Sequence, residues 1–145
     1  MDNYVRPIRS HTESNDRLLD NLNGGGAIVN LLSIRSWVTV PNAGTYSASK
    51  AAAWALTNSL RAGLREQGTQ VVGVHAGPVD TDMASNLTLP KVKPADVVRQ
   101  VLSALEAGRD EVLVDQLTRQ VKAGLSDEEG IYLNFDPDHA AAAVR

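Results

Sequence analysis

Gly24-Gly25-Gly26-Ala27-Ile28-Val29-Asn30-Leu31-Leu32-Ser33 decides how this chain is built. Three successive glycines impose a turn, and residues 27–32 then form a nearly unbroken apolar run of strand length. A run without polar alternation predicts a β-strand covered on both faces, as in a parallel sheet. Pro41-Asn42-Ala43-Gly44 is turn chemistry, and beyond it the spacing predicts a helix over 46–67. Ala48, Ala52, Leu56, Leu60 and Leu64 recur every four residues there and read as its core-facing row, while Ala51, Ala55 and Ala62 form a smaller one. Gly68 closes the helix, residues 70–75 read as a second strand around Val71, Val72 and Val74, and Gly77-Pro78 stops it. The following loop carries Met83, Leu87 and Leu89, a composition suited to lining a pocket. Pro94, Asp96 and Gly108 bracket a helix over 94–107, then come a third strand over 111–114 and a last helix over 115–124. This alternation predicts the α/β class, with a parallel sheet wound by right-handed crossovers.

The ends differ from this middle. Residues 1–23 are mostly polar and read as an arm or weak helix, 24–125 as the domain, and 126–145, acidic and then Ala-rich, as a loose tail. A length of 145 residues, 43% hydrophobic and 21% charged, makes one domain the ceiling. Fourteen Lys plus Arg against seventeen Asp plus Glu leave a net charge of -3, which argues against a nucleic-acid or anionic-membrane partner. Zero cysteines exclude disulfides, thiolate metal sites and a cysteine nucleophile. No apolar run approaches the ~20 residues of a membrane helix. The polar start Asp2-Asn3-Tyr4-Val5-Arg6 has no apolar leader, so the expected location is cytoplasmic. Asp80 with Asp82, and Asp136-Pro137-Asp138-His139, lack the ligand count of a hard-cation loop, so no metal site is expected.

Ligands of an open α/β sheet bind beyond the carboxyl ends of its strands. Ser33 leaves the first strand there, Tyr46 and Lys50 open the next helix, and residues 79–82 leave the second strand at the same edge. Tyr46 and Lys50 are spaced i, i+4, on one helix face about a turn apart. A phenol with a reference pKa of about 10 is a poor base near neutrality unless a cation stabilises its anion, and Lys50 supplies that charge. A serine hydroxyl at the adjacent strand end can hold a substrate oxygen within reach of the phenol.

These residues carry a resemblance. Tyr46-Ser47-Ala48-Ser49-Lys50 resembles the Tyr-x-x-x-Lys of the short-chain dehydrogenases/reductases, and Ser33 precedes Tyr46 by thirteen residues, as that family's catalytic serine does. Ala27-Ile28-Val29-Asn30 is similar to the strand leading to that serine, and Gly77-Pro78-Val79-Asp80-Thr81 to the family's Pro-Gly-x-Val-x-Thr segment, with Ala76 where a proline is usual. The likeness spans about 24–125. It implies a partial Rossmann-like, doubly wound fold and hydride transfer between NAD or NADP and a carbonyl or secondary alcohol. In it Tyr46 is the acid/base, Lys50 activates it and binds the nicotinamide ribose, and Ser33 orients the substrate. Gly77, Val79 and Thr81 would line the nicotinamide site, and Asn3 is the candidate for the family's fourth catalytic residue. The resemblance also implies a homo-oligomer formed through the 46–67 helix.

One departure is large. No Gly-x-Gly-x-x-Gly occurs, and Gly24-Gly25-Gly26 precedes a strand, so it cannot present helix N-terminal amides to a pyrophosphate. Nor is there a residue to choose NAD over NADP. A competing reading is therefore a truncated, non-catalytic half-domain that associates through its helix. Ser47-Ala48-Ser49-Lys50 also satisfies Ser-x-x-Lys, which would make Ser47 an acyl-transfer nucleophile, but no Ser-Asp-Asn or Lys-Thr-Gly accompanies it. Trp37 and Trp54 read as packing residues, and His75 as a structural histidine ending its strand.

Overall fold

The computed structural model describes residues 25–137. The order is β1 (Ala27–Leu31), a 3-10 turn (Ile34–Ser36), α1 (Gly44–Leu64), β2 (Gln70–His75), a second 3-10 turn (Asp82–Ala84), α2 (Pro94–Glu106), β3 (Glu111–Leu113), α3 (Gln116–Ala123) and a closing 3-10 turn (Gly124–Ser126). The three strands form one parallel sheet in the order β1-β2-β3, with Ala27 opposite Gln70 and Gly73 opposite Glu111. The α/β architecture read from the sequence is thus present, with each element bound within a few residues of its expected limits. Gly25 and Gly26 enter β1 at φ 98 and 85, a backbone region that residues with a Cβ rarely adopt, which is why glycine precedes this strand.

The central strand is covered on both faces. Val72, Val74 and Ala76 pack with Val97, Ala104, Val112 and Val114, so this face of the sheet carries α2. A Cβ at Gly73, on the alternate face, would meet Leu32, Thr57 and Arg61, so that face carries α1. Burying each valine contributes about 1.5–3 kcal/mol relative to leaving it in water. Because the strands advance in one direction while α1 and α2 lie on opposite faces, the two crossovers have opposite hands. The expectation of uniformly right-handed crossovers fails for one of them.

Two further expectations are corrected. The Ala48, Ala52, Leu56, Leu60, Leu64 row does not face the core: Ala48 and Ala52 are exposed and only Leu64 is buried. A strict four-residue step advances 400° on a helix of 100° per residue, so the row drifts around the cylinder. Burial instead follows Ser47, Thr57 and Leu64, with Trp54 and Arg61 half-buried between them. Nor is β1 covered on both faces. Among the described residues it pairs only with β2, and Val29 and Leu31 are 38% and 65% exposed, because α2 covers β2 and β3 without reaching β1.

A second core forms where Ile34, Val38, Leu117 and Val121 meet, with Trp37, Ile131 and Phe135 packed against it. The start of the expected tail is therefore part of the fold as far as the described residues extend. No helix among them is long and apolar enough to cross a membrane.

Candidate active site

Ser33 sits one residue past Leu32, where the ladder continues beyond the strands: Leu32 N–H donates to Val74 O at 2.8 Å and Ile34 N–H to Ala76 O at 2.9 Å. The two bonds clamp Ser33 from both sides. Its Oγ accepts from Arg35 N–H at 3.1 Å, capping the 3-10 turn, and this leaves the hydroxyl hydrogen free to donate elsewhere. Tyr46, 44% exposed, stands in the first turn of α1. Ser33 and Tyr46 line one cavity of about 500 Å³. Gly77, Val79 and Thr81 line it too, so the three strand-end and loop positions singled out from the sequence share one space with the phenol.

Lys50 does not line the cavity. Its Nζ donates to Leu31 O at 3.0 Å and lies 5.8 Å from the centroid of the Tyr46 ring, so it ties α1 to the end of β1 and places a positive charge behind the phenol. Ser47 faces the protein interior, its Oγ buried without a hydrogen-bond partner and therefore not bonded to Lys50. Nothing couples the nucleophile and base that a Ser-x-x-Lys hydrolase requires. Asn3 lies outside the described residues.

The loop after β2 is closed on itself. Asp80 N–H donates to Val92 O and Val92 N–H to Pro78 O, both at 2.9 Å, which pins the two ends of the excursion that carries Met83, Leu87 and Leu89. All three line the cavity, as their composition suggested. At the base of the loop Asp115, the N-cap of α3, accepts from Gly77 N–H at 2.7 Å and from Thr118 N–H at 2.8 Å, with the buried Thr118 hydroxyl within 3.0 Å of both its oxygens. A Cβ at Gly77 would lie 3.3 Å from both carboxylate oxygens, so glycine there answers a close approach.

Beneath Ser33 lies His75, fully buried and stacked on Trp37 at 3.9 Å between centroids. Its Nδ1 is 3.3 Å from Ser33 O, and its Nε2 faces Glu111 Oε1 at 3.5 Å without hydrogen-bond geometry. Burial pushes its pKa down to about 4, outweighing the Ser33 carbonyl and Glu111, which favour the cation. Glu111 is itself claimed by Lys122, whose Nζ reaches its two oxygens at 2.8 and 2.7 Å. Trp37 and Trp54 meet edge-on at 6.1 Å, the packing role read for both.

Sequence reasoning overlooked Asp115, Phe135 and Arg35. Asp115-Gln116-Leu117-Thr118 carries a capping signature that pointed to the first. No local signal marks the other two, which reach the cavity only through tertiary packing.

A nicotinamide ring fits this lining in one respect: Gly77, Pro78 and Val79 present small or apolar surface to the cavity that Tyr46 also lines, and among the described residues no carboxylate lines it. The phosphate end of a dinucleotide finds no glycine-rich strand-to-helix turn among the described residues.

The sequence pattern of the short chain dehydrogenase family matches residues 10–91. The chain is 32% identical over 109 residues to a 3-beta-hydroxysteroid dehydrogenase of Comamonas testosteroni, covering 74% of this chain and 42% of that protein. It is 32% identical over 122 residues to the short chain dehydrogenase mpl6 of Monascus purpureus, 84% of this chain and 38% of the relative. A short chain dehydrogenase from Burkholderia cenocepacia, solved in complex with NADP, superposes with a TM-score of 0.69 at 39% identity, over 79% of this chain and 47% of that one. The chain thus spans less than half the length of these relatives. With more than half of its residues inside the family pattern, and a strand-end serine and a helix tyrosine on one cavity, the chain belongs to the short-chain dehydrogenase family.

Proposed function

We propose that this cavity is the substrate end of a nicotinamide-dependent oxidoreductase acting on a carbonyl or secondary alcohol. The observation that carries the reading is that Ser33, Tyr46, Gly77, Val79 and Thr81, drawn from three separate segments, line a single cavity. A bound NAD or NADP supplies or accepts the hydride at the substrate carbon; the relative from Burkholderia cenocepacia holds NADP. In the reducing direction the substrate oxygen gains its proton from the Tyr46 phenol. Ser33 donates its free hydroxyl hydrogen to the same oxygen and holds it there. The Lys50 ammonium behind the ring offsets the negative charge left on the phenolic oxygen. Gly77 and Thr81, on the loop that Asp115 anchors, shape the wall for the nicotinamide.

The test is a titration of the chain with NADPH and NADH followed by a turnover assay with Tyr46→Phe. Binding at sub-millimolar cofactor, and turnover abolished in a folded variant, support the reading; absence of binding at millimolar cofactor refutes it for this chain. A second reading, association through α1, is favoured by the exposure of Ala48, Ala52 and Ala55, small residues that let another helix approach closely. Sedimentation of the chain distinguishes a dimer from a monomer.

A further inference from the structure

Among the described residues the lining of the cavity is mostly apolar, with Leu32, Met83, Leu89 and Phe135 in its walls, yet it includes one ionised side chain, Arg35. Its Nη1 is buried without a hydrogen-bond partner, and among the described residues no carboxylate pairs with it. The guanidinium lies 5.8 Å from the centroid of the Phe135 ring, which gives it a face to rest on and no counter-charge. An arginine stays charged in proteins, so a partly desolvated guanidinium without an anion is a standing cost to the fold. Burial accordingly lowers its pKa from the ordinary arginine value, and the nearby Tyr46 phenol offsets part of this. The backbone holds the residue in place: its N–H is engaged by Ser33 Oγ, so the guanidinium springs from the same turn as the oxygen that grips the substrate.

We propose that Arg35 sets the substrate class of this cavity by receiving a carboxylate, so that the ligand is an oxo or hydroxy acid with an apolar body between the acid and the reacting oxygen. The inference rests on reading the cavity as the substrate site. An incoming carboxylate supplies the missing counter-charge to a guanidinium that has already lost part of its water, and the apolar walls accommodate the intervening chain. A neutral ketone leaves the charge uncompensated.

The test compares binding of 7-oxooctanoate and its methyl ester by the full 145-residue chain, using saturation-transfer NMR and calorimetry at pH 7. The acid is expected to bind ~10- to 100-fold more tightly, the equivalent of one charged hydrogen-bonding contact. Arg35→Met is expected to erase that preference and Arg35→Lys to keep part of it. Equal binding of acid and ester by the unaltered chain overturns the proposal, as does a preference that persists in Arg35→Met, since charge would then be recognised elsewhere. Should Arg35→Met not fold by circular dichroism, Arg35→Gln carries the comparison. The binding readout is independent of turnover: acid preference without any NADPH binding upholds this inference and refutes the oxidoreductase reading, whereas NADPH binding with no acid preference does the reverse.

Discussion

The imidazole Nδ1 of His75 lies 3.3 Å from the carbonyl oxygen of Ser33, so the residue that ends β2 supports a residue two places beyond the end of β1. The contact is fully buried, and it makes the strand-end serine depend on a histidine whose charge burial suppresses.

That suppression has a sign. An unfolded histidine takes up a proton near pH 6.5, but His75 in the fold does so only near 4. Stability is therefore full above pH 6.5, falls as pH drops from there toward 4, and levels off below, a loss of about 3 kcal/mol at most. His75→Phe keeps a ring against Trp37 and is expected to lose this component. Urea unfolding of both proteins between pH 7 and pH 4 checks it; parallel curves would count against a buried neutral histidine.

Asp115 accepts from Gly77 and Thr118 together, so its removal strands two backbone donors. Asp115→Ala should cost about 2–4 kcal/mol, and Asp115→Asn, with a single carbonyl oxygen left, a smaller amount. Gly77→Ala should push the carboxylate aside and approach the effect of Asp115→Ala. Thermal melts of the three variants measure the order, and an Asp115→Ala protein as stable as the parent would show that the loop is held by something else.

Ser33→Ala removes both the cap on the 3-10 turn and the proposed substrate donor. The expected stability loss is about 1 kcal/mol or less, while turnover falls at least ~100-fold. A turnover loss no larger than the stability loss explains would assign Ser33 a capping role alone.

Lys50→Met cuts the bond to Leu31 O at an exposed position, so stability should change by less than about 1 kcal/mol. Turnover should nevertheless collapse, because the charge behind Tyr46 is gone. Denaturation midpoints and initial rates, measured on one preparation, separate the two effects; unchanged rates would remove Lys50 from the reaction.

Much of the fold was legible in residue order because it depends on local chemistry. Apolar runs bounded by glycine and proline marked β1 and β2, and Pro94 and Gly108 bracketed α2. The Tyr46 and Lys50 spacing and the strand-end place of Ser33 also follow from position along the chain. The buried face of α1 was misread because a four-residue repeat resembles a helical row without staying on one side of the cylinder. The coverage of β1 was misread because hydrophobicity records what a strand can bury, whereas exposure depends on which neighbours reach it.

By itself the sequence determined the α/β class, the order of elements and the residue types at the strand ends, since turns, periodicity and chain spacing are properties of neighbours along the backbone. Tertiary structure alone decided the opposite placement of α1 and α2 on the sheet, the contact of His75 with Ser33, and the arrival of Arg35 and Phe135 at one cavity. Those residues lie as far apart along the chain as positions 35 and 135, and contacts across such separations are chosen by packing, which no local pattern encodes.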